Sequence, residues 1–268
     1  MNRQQAPEWL RPLLGAVGGI DSSVLGIHRI PPPVDGGRRA SVLVLFGEDP
    51  SHGPDVLLTE RASTLREHAG QVSFPGGGAD PGDGDAIATA LREAEEETGL
   101  DPAGVRPLAQ LPELYIPPSR YVVTPVLAYW QEPSRVHAVD PGETAAVIRV
   151  PVATLADPAH RIQVAHPSGY TGPAFLVAGL LVWGFTGGLL SALLRLGGWE
   201  RDWNTGRVRD LDEAWSVARA GRQEAAAADM FGDPQKNPTL LPGLCLYLIL
   251  FAFFILLNAM AQTNTPRL

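Results

Sequence analysis

The sequence predicts an α+β protein in which helices interleave with a mixed β-sheet as a layered core, followed by an apolar C-terminal helix. Three observations carry this. Short aliphatic runs bounded by turn residues, such as Ser41–Phe46 and Val56–Thr59, have the length of buried strands. Between the strand-like runs, residues 86–98 repeat small and apolar side chains at helical spacing. Near the end, the 22 residues 240–261 carry no charge at all.

Taken in order, residues 7–15 read as a short N-terminal helix, and Pro31–Gly37 as a Pro- and Gly-rich linker. Ser41–Phe46 is the first buried strand, Val56–Thr59 continues the sheet, and Gln71–Phe74 leads into a glycine-rich turn. Val105–Tyr115 and Tyr121–Trp130 are strands on either side of a turn at 117–119, and Thr144–Val152 is another. Pro173–Leu194 is uncharged over 22 residues, long enough to span a bilayer. Residues 223–239 are rich in Ala, Asp and Gln and read as a tether. The run 240–261 would extend about 33 Å as a helix with no polar face, so it is expected to be a membrane anchor; a buried or homodimer-forming helix is the alternative. The expected organisation is thus 1–35 helix and linker, 36–222 catalytic domain, 223–239 linker and 240–261 apolar helix.

Residues 86–100 are the most informative stretch. On a helix, Ile87, Ala90, Leu91, Ala94 and Thr98 share one face, and Glu93, Glu96 and Glu97 share a separate arc at i, i+3 and i+4. Asp85 can cap the start and Gly99 can end the helix in the left-handed conformation. Arg92 reaches Glu96 at i+4, but one guanidinium cannot neutralise three acids, and hard divalent cations prefer carboxylate oxygens. Arg61, Arg66 and His68 upstream add fixed charge and donors suited to phosphate, with Gly76 and Gly77 where backbone must approach a ligand closely.

Arg92-Glu93-Ala94-Glu95-Glu96-Glu97-Thr98-Gly99-Leu100 resembles the end of the Nudix box, G-x5-E-x7-R-E-U-x-E-E-x-G-U with U aliphatic. Gly78 stands at the first Gly, but Gly84 stands where the box has its first Glu. Aligned on Pro75-Gly76-Gly77, the loop is one residue longer than the general box, with Asp80, Asp83 and Asp85 around the missing acid. Residues 57–77 are similar to the L-L-T-x-R-[SA]-x3-R-x3-G-x3-F-P-G-G element of the coenzyme A pyrophosphatase branch of that family. Residues 182–188 look like the start of the W-G-[FL]-T-x-x-[IL]-L segment where the same branch passes from its last strand into a core helix, so the resemblance implies that the uncharged run Pro173–Leu194 is core.

The resemblance implies a Nudix α/β/α sandwich and Mg2+- or Mn2+-dependent hydrolysis of CoA or acyl-CoA to 3',5'-ADP and 4'-phosphopantetheine. It implies Glu93 and Glu97 as principal metal ligands, Glu96 as a further ligand or water holder, and a Gly76 or Gly77 carbonyl as backbone ligand. Arg92 would orient Glu96, and Arg61, Arg66, His68 and Gly76 would meet the substrate. Glu96, Glu113, Asp140 and Glu143 are all open as sources of a general base. The alternatives are a broader nucleoside diphosphate-X pyrophosphatase and a membrane-tethered module that binds a nucleotide without hydrolysing it.

A net charge of −8 argues against nucleic acid as partner, because phosphate backbones demand basic surface. A small nucleotide is compatible with it when a cation carries the charge locally. The single Cys245 excludes an internal disulfide framework, and residues 1–30 lack the long apolar core of a signal peptide. The expected location is cytoplasmic, tethered to the membrane if 240–261 inserts.

Overall fold

Strand β1 (Arg38–Asp49) holds the centre of the larger sheet. It forms a hairpin with β2 (Gly53–Arg61) through Phe46↔Val56 to Asp49↔Gly53, and runs parallel to β7 (Tyr121–Trp130) from Arg38↔Tyr121 to Phe46↔Tyr129. The structure is a computed structural model that describes residues 6–25, 37–65, 69–117 and 119–231, without the side chains of 227–231. The chain divides into two compact units, 1–218 and 219–268.

Around β1, β2 and β7 lie β3 (Val72–Ser73), β4 (Gly76–Gly78), β5 (Val105–Gln110), β6 (Leu114–Ile116) and β8 (Thr144–Pro151), making eight strands among the described residues. The spatial order is β3-β2-β1-β7-β5, with β4 on β1, β6 on β7 and β8 on β2. A second sheet follows the order β11-β10-β9-β12, from β9 (Arg161–Ala165), β10 (Thr171–Val177), β11 (Leu180–Val182) and β12 (Val208–Asp210).

The contiguous apolar run Leu43–Phe46 is buried because both faces of the sheet are covered. Leu43, Leu45, Leu57, Val126, Ala128 and Trp130 point to one side, where Ala90 and Ala94 of α2 (Ala86–Thr98) pack. Val44, Phe46, Val56, Leu58 and Leu127 point to the other, against Leu13 and Leu14 of α1 (Arg11–Ala16), Val152 and Leu155 of α3 (Val152–Ala156), and Leu189, Leu190 and Leu193 of α4 (Gly184–Leu196). This period-2 division between two helical layers is the expected α/β/α sandwich. Ile162, Val164, Ala174 and Leu181 of the second sheet pack with Ala214 and Ala218 at the start of α5 (Leu211–Phe231).

Three expectations are corrected. Val105–Tyr115 is two strands, β5 and β6, because Leu111-Pro112-Glu113 interrupts pairing and proline has no N–H to donate. The strands divide between two sheets. Residues 223–231, expected within a linker, continue α5; Ala-rich sequence has high helix propensity, which outweighed its tether-like composition. The uncharged run Pro173–Leu194 is core as expected, forming parts of β10, β11 and α4. Among the described residues no helix is long and apolar enough to cross a membrane, and 240–261 lies outside them.

Candidate active site

α2 is set at both ends as its sequence requires. The Asp85 carboxylate accepts the Ala88 N–H at 2.8 Å, and Gly99 closes the helix with φ 65°. Ala90, Ala94 and Thr98 are buried against the sheet, which turns Glu93, Glu96 and Glu97 toward the loop that precedes the helix.

Arg92 joins the helix to that loop. Its Nε and Nη2 donate to the two oxygens of Asp83, each at 3.0 Å, and Nη2 also donates to the Gly78 carbonyl at 2.9 Å. Its Nη1 lies 3.0 Å from Glu93 Oε1 and donates to Glu96 Oε2 at 3.0 Å. Asp83 further accepts from the Asp80 N–H and the Thr89 hydroxyl, each at 2.9 Å. The Arg92 hydrogen bonds, followed by the Asp80 N–H, hold the Asp83 carboxyl well below the usual carboxylate range, and Asp83 in turn raises the Arg92 pKa.

The sequence left three aspartates open for the acid missing at Gly84, and the structure gives each a different role. Asp85 caps the helix, Asp80 is exposed with its side chain 3.9 Å from Arg92, and Asp83 receives the guanidinium in bidentate fashion. Asp83→Asn is therefore expected to lower kcat/KM of a reaction at this site roughly tenfold by loosening Arg92. Asp80→Asn should change it less than about twofold, and steady-state kinetics on the two variants separates the roles.

Glu93 and Glu97 converge on the glycine segment. The Gly76 N–H donates to Glu97 Oε2 at 3.3 Å. A side chain on Gly77 would run into the Glu93 carboxylate, and one on Gly76 into the Ser41 carbonyl, with Val42 Cα at 2.7 Å. Gly77→Ala is accordingly expected to displace Glu93 and lower kcat about a hundredfold, with circular dichroism unchanged.

Burial pushes the Glu97 carboxyl up to about 7, outweighing the Gly76 hydrogen bond and the Arg61 charge; Glu93 and Glu143 push the same way. Burial also raises Glu93, against the pull of Arg92. Two partly buried carboxylates that burial raises despite a guanidinium near each, beside backbone that approaches them without a side chain, fit a hard divalent cation. Glu96 stands apart, its side chain 60% exposed and engaged by Arg92, and among the described residues no three acid, His or Cys side chains form a ready cation cluster.

Of the other expected site residues, Arg61 ends β2 and acts on Glu97, with its Nε buried and without a hydrogen-bond partner among the described residues. Arg66 and His68 lie outside the described residues. Glu113 is paired with Arg39 at 3.0 Å, and Asp140 holds its own turn by accepting the Gly142 N–H at 2.8 Å. Glu143 is brought toward Glu97, because the Ala62 N–H donates to its carbonyl at 2.8 Å and β8 then pairs with β2 from Thr144↔Arg61. The sequence offered Glu143 only as one of several acids for the site, and the non-local pairing of 61 with 144 is what sets it apart from Glu113 and Asp140.

A family model described as NUDIX domain matches residues 37–168. The chain is similar to proteins named uncharacterized Nudix hydrolase NudL. It is 44% identical to that of Photorhabdus laumondii over 128 residues, 46% of this chain and 66% of the relative. It is 42% identical to that of Escherichia coli K12 over 116 residues, 43% of this chain and 58% of the relative. The chain thus spans less than two thirds of the curated relatives it matches. A solved Nudix hydrolase from M. smegmatis, RenU, is 21% identical with a TM-score of 0.41, covering 60% of this chain and 86% of that one. Residues 37–168, with α2 carrying the acids and Gly76–Gly78 facing them, match the NUDIX domain model and have the Nudix fold.

Proposed function

We propose that this chain hydrolyses a phosphoanhydride of a nucleotide-like small molecule with a divalent cation, and that its substrate is coenzyme A or acyl-CoA, split into 3',5'-ADP and (acyl) 4'-phosphopantetheine. The observation that carries the reading is the convergence of Glu93 and Glu97, from one helix, on the backbone of Gly76 and Gly77. The element at 57–77 supports the CoA assignment, through its similarity to the CoA pyrophosphatase branch.

A pyrophosphate resists water because its anionic oxygens repel nucleophiles. Mg2+ or Mn2+, held by Glu93, Glu97 and the Gly77 carbonyl with Glu96 as a further ligand or water holder, would neutralise that charge and acidify bound water. Arg92 fixes the direction of Glu93 and Glu96 and ties the helix to Gly78, so its part is positioning. Arg61 offers a cation to the substrate phosphates from beside Glu97. Glu143, exposed and near enough for its charge to act on Glu97, joins Glu96 as the candidate for a general base, while Glu113 and Asp140 are engaged elsewhere. The catalytic domain is assigned to 36–222 in the cytoplasm, and 240–261 to a tether.

The test is product analysis of the full chain incubated with CoA and Mg2+ or Mn2+, beside Glu97→Gln. Appearance of 3',5'-ADP and 4'-phosphopantetheine with Glu97 intact, and their loss in the variant and in chelator, is the expected result. Hydrolysis of other dinucleotides but not CoA would move the assignment to a broader nucleoside diphosphate-X pyrophosphatase. Tight binding without turnover of any of them would leave a nucleotide-binding module.

A further inference from the structure

Glu97 stands in the last turn of α2, where a helix has least to hold it, because its final four carbonyls find no partner within the helix. Here the Gly99 N–H takes the Glu95 carbonyl at 2.8 Å, and a segment from elsewhere in the chain takes two of the others. The Val139 N–H donates to the Glu97 carbonyl at 3.2 Å and the His137 N–H to the Thr98 carbonyl at 2.9 Å. These donors are two residues apart, the spacing at which an extended chain presents N–H groups to one side.

The segment forms a strap that is fixed on both sides of these contacts. Before them, the Gln131 and Glu132 N–H groups donate to the Gly104 carbonyl at 3.0 and 3.1 Å, and Val136 packs on the core shared with Ala90 and Ala94 of α2. After them, the Glu143 and Thr144 N–H groups donate to the Asp140 carbonyl at 3.0 and 2.9 Å, and β8 begins. In between, the fit is close at the backbone and open at the side chains. A side chain on Gly99 would come within 2.9 Å of the His137 ring, whereas His137 is exposed and Val139 is 49% exposed. Two exposed side chains over a closely met backbone contribute N–H groups more than burial.

Glu97 is thereby held twice, its carboxylate by the Gly76 N–H at 3.3 Å and its carbonyl by the Val139 N–H at 3.2 Å. We propose that Val139 is a positioning residue of this site, acting through its N–H: with His137 it keeps the last turn of α2 wound, and so keeps the Glu97 carboxylate on the Gly76–Gly77 backbone where the cation is taken up. Helix ends fray when their carbonyls lose their partners. A frayed turn would let Glu97 leave Gly76 while Glu93, one turn earlier and 3.0 Å from Arg92, stayed in place. The effect therefore falls on the cation more than on the nucleotide. The proposal rests on the hydrolase reading for its effect on turnover, while its effect on cation binding is separate from it.

The test removes the Val139 N–H from the full chain in two ways: Val139→Pro, and replacement of Val139 by its α-hydroxy acid, which puts an ester oxygen in place of the N–H and leaves the side chain. Val139→Ala, which keeps the N–H, is the control. Binding of Mn2+ alone, followed by electron paramagnetic resonance, is expected to weaken about tenfold in both N–H deletions. It should change less than about twofold in Val139→Ala. With CoA, the Mn2+ concentration for half-maximal rate should rise by the same factor, while KM for CoA at saturating Mn2+ stays within about twofold. A strap that serves only stability would lower Tm and leave the Mn2+ affinity of the folded protein at its wild-type value; that result overturns the proposal, as does an equal loss in Val139→Ala. If Val139→Pro does not fold, the ester variant decides. Weakened Mn2+ binding in that variant, beside a wild type that hydrolyses nothing, sustains the strap while the hydrolase reading fails. Wild-type turnover with Mn2+ affinity unchanged in the ester variant sinks the strap alone, and a wild type that binds no Mn2+ overturns both.

Discussion

Glu97→Gln is expected to lower kcat for phosphoanhydride hydrolysis by about 10²- to 10³-fold while making the metal-free protein more stable at neutral pH. The two effects have one cause. A carboxyl raised to about 7 by burial is easier to protonate folded than unfolded, where its ordinary value is 4.5. Its contribution to stability is therefore fully present below about pH 4.5, falls as pH rises, and is gone above about pH 7. The ceiling on that loss is about 3 kcal/mol. Glutamine keeps the shape and hydrogen bonding but carries no charge, so it removes this slope together with a cation ligand. Thermal denaturation in chelator from pH 4.5 to 8 should show the wild-type Tm losing ground to the variant, and Mg2+ should restore it in the wild type alone. Parallel pH profiles for the two proteins, or an unchanged kcat in the variant, would sink the assignment.

Arg161→Ala is expected to destabilise the protein by about 3 kcal/mol, which for a unit of this size lowers Tm by roughly 6 to 12 °C. The Arg161 side chain is 0% exposed. Its Nη1 donates to Glu200 at 2.8 Å and its Nη2 to the Ser191 hydroxyl at 2.6 Å, and its guanidinium lies 4.3 Å from the Trp203 ring centre and 5.1 Å from that of Phe175. Burial lowers its pKa despite Glu200, the signature of a charge held at a cost in solvation. Truncation leaves Glu200 and Ser191 without their partner and opens a cavity between two rings. Arg161→Met with Glu200→Gln should recover part of the loss, since an apolar replacement removes both charges at once. Urea denaturation measures both variants, and a single-variant loss under about 1 kcal/mol would contradict this account.

The local features of the fold were legible and the non-local ones were not. Asp85, Gly99 and the Ala90–Ala94 face are set by spacing within one helix, and the structure has them where periodicity put them. Which loop aspartate faces Arg92 depends on a turn closed by the Asp83 N–H to the Asp80 carbonyl at 2.9 Å, and spacing along the chain does not encode that. Arg161 gave no warning, because an isolated arginine in an apolar stretch looks like a surface residue until Glu200, 39 positions away, meets it. The approach of Glu143 to Glu97 depends likewise on β2 finding β8.

The pairing of Gly76–Gly78 with Ala40–Val42 has a consequence for how this loop tolerates change in length. Leu43 donates to the Pro75 carbonyl and Ala79 to the Arg39 carbonyl, so the glycines are clamped at both ends like a scale read against a fixed rule. A slip by one residue would exchange the backbone groups presented to Glu93 and Glu97, and would turn each pleat over. An insertion is therefore harmful inside 75–79 and cheap just after it, where the turn at 80–83 only has to return an aspartate to Arg92. A loop one residue longer than the general box, as the alignment on Pro75-Gly76-Gly77 reads it, is compatible with this clamp when the added residue lies in that turn.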